Sequence, residues 1–332
     1  MPRLPRIHLP SRLVRRPADV ETPVAAVPGR EPRILATRGA PMPFSKGRMA
    51  QALVLAGADP ERAYQLAMRI EREVNATAAD EIPIDHLHGM VEEILAREEG
   101  PELVSRYHGW REVLRLDRPL MLLIGGATGT GKSTLATEIA YRLGISRITS
   151  TDVIRQAMRA FFAPELMPEL HYSSFDAADG LKIPLPDPDD EDRALYGFIQ
   201  QAGQVAVGAN AVVERAVLEG LSTVVEGVHV VPGLVTAEQH AGAVVVQLML
   251  AITDEDVHQA HFFGRSADSG GLRAYDRYLR RFGEIRRIQE YLVGRAEKQG
   301  WPVIEAADPD RSLLAVMDLI LERATARAAA IP

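Results

Sequence analysis

The chain has 332 residues, 46% of them hydrophobic, so it can bury a core and is long enough for two domains. Its 38 basic and 45 acidic side chains leave a formal net charge of −7, which argues against a general attraction to nucleic acid or an anionic membrane. It contains no cysteine, which excludes disulfides, thiolate metal sites and cysteine nucleophiles and points to a reducing cytoplasm.

Residues 1–32 carry five arginines among the first eighteen positions, and prolines recur without any hydrophobic period, so a disordered basic tail is expected. From residue 33 a short strand-like Ile34-Leu35-Ala36 gives way to helical spacing. Met49, Leu53 and Ala56 mark a first helix that stops at Gly57, and Pro60 opens a second carrying Ala63, Leu66, Ala67 and Ile70. A third, near residues 84–96, places Leu87, Val91 and Ile94 on one face. Residues 33–110 therefore read as a small, mostly helical module. After Asp117-Arg118-Pro119 short apolar runs alternate with amphipathic helices, and residues 111–332 read as a second domain. Its predicted strands are residues 120–125, 146–150, 222–226, 244–251 and 302–304, the habit of a parallel sheet covered on both faces. Residues 176–192 hold seven acids and three prolines and are expected to form an exposed loop. No apolar run approaches the roughly 18 residues of a membrane span.

The first predicted strand of this domain runs into Gly126-Ala127-Thr128-Gly129-Thr130-Gly131-Lys132-Ser133, with Thr134 opening the helix behind it. This is G-x-x-x-x-G-K-[ST] in its required strand-loop-helix setting. The glycines let successive backbone N–H groups converge on one anion, and the helix adds its positive end. Lys132 is expected to reach the β and γ phosphates of ATP, and Ser133 to offer its hydroxyl to Mg2+. No N-K-x-D motif for guanine is present, and the strand ending Val224-Val225-Glu226-Gly227 lacks the Asp-Glu of motor ATPases.

Ser150-Thr151-Asp152 closes the second strand, where ligands gather in a doubly wound sheet. Asp152 is a candidate base for an attacking hydroxyl or a candidate Mg2+ ligand, with a plain helix cap as the alternative; Arg155, one turn on, is a candidate grip for an anionic acceptor. Glu226 is a candidate Mg2+ ligand, and His229 a phosphate contact or a structural histidine. His258 and His261 lack a third metal ligand. Seven arginines lie between residues 265 and 287, most of them expected on a solvated helix face; Arg265 and Arg273 flank Ser269-Gly270-Gly271 and suit a lid over the transferring phosphoryl group.

With these residues in view, the catalytic part resembles archaeal-type 2-phosphoglycerate kinase over about residues 120–304. The matching pieces are the loop itself, Ser150-Thr151-Asp152 with Arg155, Pro168-Glu169-Leu170-His171 with Ser173-Ser174, and Gly197-Phe198 with Gln201. Glu214-Arg215-Ala216, Glu226-Gly227-Val228-His229 with Pro232-Gly233, and Ile288-Gln289 complete the set. Met42-Pro43-Phe44-Ser45-Lys46-Gly47 with Ala56-Gly57 looks like the ATP-cone module that precedes such kinases. The resemblance implies an α/β fold, a P-loop NTPase-type parallel sheet with flanking helices behind a small ATP-cone domain. It implies phosphorylation of 2-phosphoglycerate to 2,3-bisphosphoglycerate, with His171, Ser173, Gln201, Arg215 and His229 as acceptor contacts beside Arg155. Related proteins tied to inositol phosphates keep other acceptors open, as does a nucleotide-sugar kinase; a nucleotide-sensing regulatory protein is the rival from another class. In the cone, Arg38, Lys46 and Arg48 are candidate phosphate contacts. The expected partner is a small phosphorylated acceptor, without nucleic acid or membrane, and homo-oligomerisation stays open.

Overall fold

The computed structural model describes residues 32–35, 40–77, 79–115, 118–181, 193–236, 242–268 and 275–329. The basic tail, Arg38, Arg273 and the acidic run 182–192 lie outside them, as does the side chain of Arg265.

The first module contains strands β1 (Arg33–Leu35), β2 (Met42–Pro43) and β3 (Glu81–Pro83), in the order β2-β1-β3. Helices α1 (Lys46–Leu55), α2 (Pro60–Ala76), α3 (Ile84–Glu98) and α4 (Pro101–Arg115) pack around them. Local chemistry sets the helix starts. Ser45 Oγ accepts the Arg48 N–H at 3.4 Å, and Asp59 accepts the Glu61 N–H at 2.9 Å with Pro60 just inside the first turn. The strand-like reading at Ile34 holds, while β2 and β3 were not anticipated. Strands of two or three residues are too short to show an alternating pattern. Helix α4 runs across residue 110, so the sequence boundary there cuts a continuous helix.

The second module follows as β4 (Leu120–Gly126), α5 (Lys132–Leu143), β5 (Ile148–Ser150), α6 (Thr151–Phe161), two 3-10 turns (Pro168–His171 and Ala177–Gly180) and α7 (Arg193–Leu218). Then come β6 (Thr223–Gly227), β7 (Val244–Ala251), α8 (Glu255–Asp268), α9 (Tyr275–Arg280), α10 (Phe282–Lys298), β8 (Val303–Glu305) and α11 (Pro309–Ala329). The strands form a parallel sheet in the order β5-β6-β4-β7-β8. Every residue of β4 is buried, because both faces are covered. Leu120, Leu122 and Ile124 alternate into one core with α5 and α11; Met121 and Leu123 enter the other with α7 and α10.

The start of the acidic 176–192 stretch corrects its reading as an exposed loop. Asp176 is buried and binds Arg277 at 2.5 Å and Arg281 at 2.9 Å, so two cations on α9 and its junction with α10 compensate its desolvation.

The two modules share the first of these cores, which is continuous from Ile34 to Ala324. At the seam a Cβ on Gly109 of α4 would meet Leu321 Cδ1 of α11 at 3.0 Å. Gly109→Val should therefore force α4 and α11 apart and destabilise the protein by about 1–3 kcal/mol, read as a lower urea midpoint. An unchanged midpoint would show that this seam does not carry the packing.

Candidate active site

Strand β4 has β6 on one side and β7 on the other, so the chain order reverses at its carboxyl end, where a doubly wound sheet opens a crevice. The loop Ala127–Gly131 fills that crevice and delivers the N-terminus of α5 to it. Lys132 is only 8% exposed; its ammonium lies across the loop, donating to Ala127 O at 2.5 Å and approaching Thr130 Oγ1 at 3.4 Å. Ser133 Oγ donates to Glu226 Oε1 at 3.0 Å. Glu226 is 4% exposed, so a carboxylate and a hydroxyl oxygen meet in a nearly dry position at the loop's mouth. Beside them lies a cleft of about 550 Å³, walled by Thr130–Leu135 and His261 on one side and by Pro309, Asp310 and Leu313 of α11 on the other. Its size fits a nucleoside.

The acceptor side is set by strand register. Ser150 pairs with Glu226, which pairs with Ile124, so the end of β5 stands level with the entry to the phosphate loop. Ser150 Oγ caps α6 by accepting the Asp152 N–H at 3.2 Å. The capping role considered for Asp152 thus falls to its neighbour, and the Asp152 side chain stays 67% exposed above the sheet. Arg155 departs from its expected role as an acceptor grip. Its Nη1 donates to Leu170 O at 2.9 Å and Tyr172 O at 2.8 Å, and its Nε reaches Asp152 at 3.5 Å. It ties the 168–172 segment down and steadies the carboxylate.

Gln201 and His229 also belong to the support of the site, not its surface, since both are fully buried. His229 bonds Thr151 Oγ1 at 3.1 Å and Gln201 Oε1 at 2.8 Å, and Gln201 Nε2 donates to Glu169 O at 2.5 Å and Tyr172 O at 3.1 Å. Burial drives the His229 pKa down to about 4, with Arg155 and Lys132 pushing the same way and Asp152 opposing. His171 Nε2 donates to Phe162 O at 2.9 Å, and Ser173 Oγ accepts from Arg277 at 3.0 Å. Arg215 is not there. It lies exposed near the other end of α7, pairing with Glu219 at 2.8 Å beside Arg147, which precedes β5 at the amino edge of the sheet.

Two residues went unrecognised in the sequence. His258 Nε2 donates to Thr128 O at 2.8 Å and His261 Nδ1 to Gly129 O at 3.0 Å, so the pair without a third metal ligand holds the phosphate loop instead. Their signal was the i, i+3 spacing on the helix that follows β7, the strand adjoining the loop.

An ATP cone domain model matches residues 32–114. A 2-phosphoglycerate kinase from Methanothermobacter thermautotrophicus is 42% identical over 80% of this chain and 86% of its own. The 2-phosphoglycerate kinases of Methanopyrus kandleri and Thermococcus kodakarensis are 39% and 38% identical, over 84% and 83% of this chain and 84% and 92% of theirs. The chain belongs to the 2-phosphoglycerate kinase family. Within this family frame the ATP cone occupies the expected amino-terminal position, and the P-loop of the kinase module sits at the carboxyl end of the central strand.

The buried imidazole makes stability depend on pH. The folded ring refuses a proton that the unfolded chain accepts near pH 6.5, so its contribution is whole above that value and is lost as pH falls toward 4. The limiting slope is about 1.4 kcal/mol per pH unit for one such group. Chemical denaturation between pH 7 and pH 4 should show stability falling, and His229→Gln should make that slope shallower.

Proposed function

We propose that this protein transfers the γ-phosphoryl group of ATP to the 3-hydroxyl of 2-phosphoglycerate, forming 2,3-bisphosphoglycerate and ADP. The observation that carries the reading is the convergence of the Lys132 ammonium, the Ser133–Glu226 oxygen pair and Asp152 at three neighbouring strand ends. Two oxygen donors 3.0 Å apart suit a hard cation, and we assign Ser133 and Glu226 to Mg2+. When bound, Mg2+ supplies neutralisation of charge on the β and γ phosphates. Gly126 to Thr134 cradle the phosphates with backbone N–H groups, and Lys132 swings from Ala127 O to the γ-phosphoryl oxygens.

The acceptor's hydroxyl oxygen forms a bond to the γ-phosphorus as the bond to the ADP oxygen breaks, and its proton passes to Asp152. Arg155 keeps Asp152 pointed at that hydroxyl. His171 and Ser173 line the approach, and Arg265 and Arg273 close over the transferring group. The cone binds adenine nucleotide and modulates turnover, with Arg38, Lys46 and Arg48 as its phosphate contacts. The compartment we assign is the cytoplasm.

Turnover of 2-phosphoglycerate should exceed that of 3-phosphoglycerate, inositol phosphates and nucleotide sugars in a coupled ADP-release assay; preference for any other acceptor would overturn the substrate assignment. Lys132→Ala should abolish transfer with the fold intact. Asp152→Asn should lower kcat by about 10²–10⁴-fold with little change in ATP affinity. Glu226→Gln should instead raise the Mg2+ concentration needed for half-maximal activity. If Asp152→Asn shifts the Mg2+ dependence and Glu226→Gln does not, the two carboxylates exchange roles.

A further inference from the structure

Helix α8 packs directly against the phosphate loop. A Cβ on Gly129, whose φ is +94°, would lie 2.6 Å from Phe262 Cε1 and 3.0 Å from His258 Nε2. His258 is fully buried and stacks on Phe262 at 5.3 Å between ring centroids, and Phe262 stacks on Tyr278 of α9 at 4.9 Å. Phe282 closes the edges of both His258 and Phe262. This aromatic block fixes the His258 ring, from which the Thr128 carbonyl receives its hydrogen bond, and His261, on the same helix, donates to the Gly129 carbonyl.

In a planar trans peptide the C=O of one residue and the N–H of the next point in opposite directions. A carbonyl held toward α8 therefore turns the following N–H away from α8. We propose that His258 and His261 are positioning residues for phosphate binding: by holding the Thr128 and Gly129 carbonyls they fix the course of the loop and aim the Gly129 N–H at the nucleotide's phosphates, while the Thr130 N–H donates to Ala127 O at 3.5 Å and closes the turn. This rests on the assignment of the Gly126–Ser133 loop to ATP.

The protonation state of His258 agrees with the role. Burial, aided by Arg286, Lys132 and His261, lowers its pKa to about 4, although the bond to Thr128 opposes this. The ring is neutral near pH 7 and carries its one proton on Nε2, facing the carbonyl. Its Nδ1 is buried with no hydrogen-bond partner among the described residues. Leaving a buried ring nitrogen unpaired has a cost, and it is borne where the other nitrogen does positional work. A charged ring there would compete with Lys132 for the same phosphates; a neutral one orients the loop without that competition.

The test separates the phosphates from the base. His258→Phe keeps the ring and its stacking but cannot donate, whereas His258→Gln restores an N–H donor near the Nε2 position. Calorimetric titration of the full chain with tripolyphosphate and, separately, with adenosine should show His258→Phe weakening tripolyphosphate about tenfold and adenosine by less than about twofold. His258→Gln should recover most of the loss. Unchanged tripolyphosphate binding, equal loss of both ligands, or no recovery by glutamine overturns the proposal. If His258→Phe fails to fold, His261 replaces it with tripolyphosphate as the one ligand, because His261 also walls the cleft: His261→Ala should weaken tripolyphosphate and His261→Asn restore it, and no loss or no recovery overturns the proposal. Lys132→Ala is the control for the underlying site: if it too leaves tripolyphosphate binding untouched, the assignment of the loop falls, whereas a loss confined to Lys132→Ala overturns the histidine roles alone.

Discussion

His229 has no exposed surface, yet its ring joins segments far apart in the chain. Thr151 begins α6, Gln201 lies in α7, and through Gln201 the ring reaches the carbonyls of Glu169 and Tyr172. The direction of every proton in this chain follows from one fact. The Gln201 amide nitrogen donates to two carbonyls, so its oxygen faces His229 and must be donated to. His229 therefore carries its proton on Nε2, and Nδ1 accepts from the Thr151 hydroxyl. Each member is buried, so losing any one strands the others at a cost of about 1–3 kcal/mol each. The network is consequently an all-or-none clamp on the start of α6.

That clamp holds the start of α6 against the end of β6. Thr151 is held so close to β6 that a Cβ on Gly227, whose φ is +147°, would fall 1.9 Å from Thr151 Oγ1. Only glycine lets the strand pass, and Ser150, two residues before Asp152, stands level with Glu226 in the β5–β6 register. Tyr172 O receives hydrogen bonds from both Gln201 and Arg155, so the 168–172 segment is fixed from two sides at one carbonyl. Arg155 spends its donors on it and on Asp152. The anion-gripping chemistry that an arginine at this position suggests is thereby converted into rigidity of this segment.

The phosphate loop was legible in the sequence because everything that defines it is contiguous: a strand, glycines, a lysine, a hydroxyl and a helix. The parallel sheet was legible for a related reason, since strands buried on both faces read as unbroken apolar runs such as Val244–Ala251. The places of Gln201, Arg155 and Arg215 were not legible, because motif membership does not tell the buried side of a helix from its exposed side, or one end from the other. Gln201 and Arg215 share α7, but fourteen residues of helix separate them by about 21 Å, which puts Arg215 beyond any reach of the site. Asp176 was misread because an acid among prolines looks solvated until its cations, about a hundred residues later, are brought to it.

Module boundaries drawn from texture also meet a physical limit. The change after residue 117 is real in composition, but hydrophobic burial does not respect it, since α4 ends the cone and packs against α11 at the far end of the chain. Arg106 shows how tightly the seam is tied: its Nε donates to Ala56 O at 2.7 Å, satisfying a terminal carbonyl of α1, while its Nη1 pairs with Asp318 of α11. The first turn of α11 meanwhile walls the cleft beside the phosphate loop through Pro309, Asp310 and Leu313. Eight residues separate Asp310 from Asp318, about 12 Å along one continuous helix. The cone's seat and the wall of the cleft are thus two stretches of the same helix, and that shared helix is why the cone cannot be treated as an appendage to the kinase module.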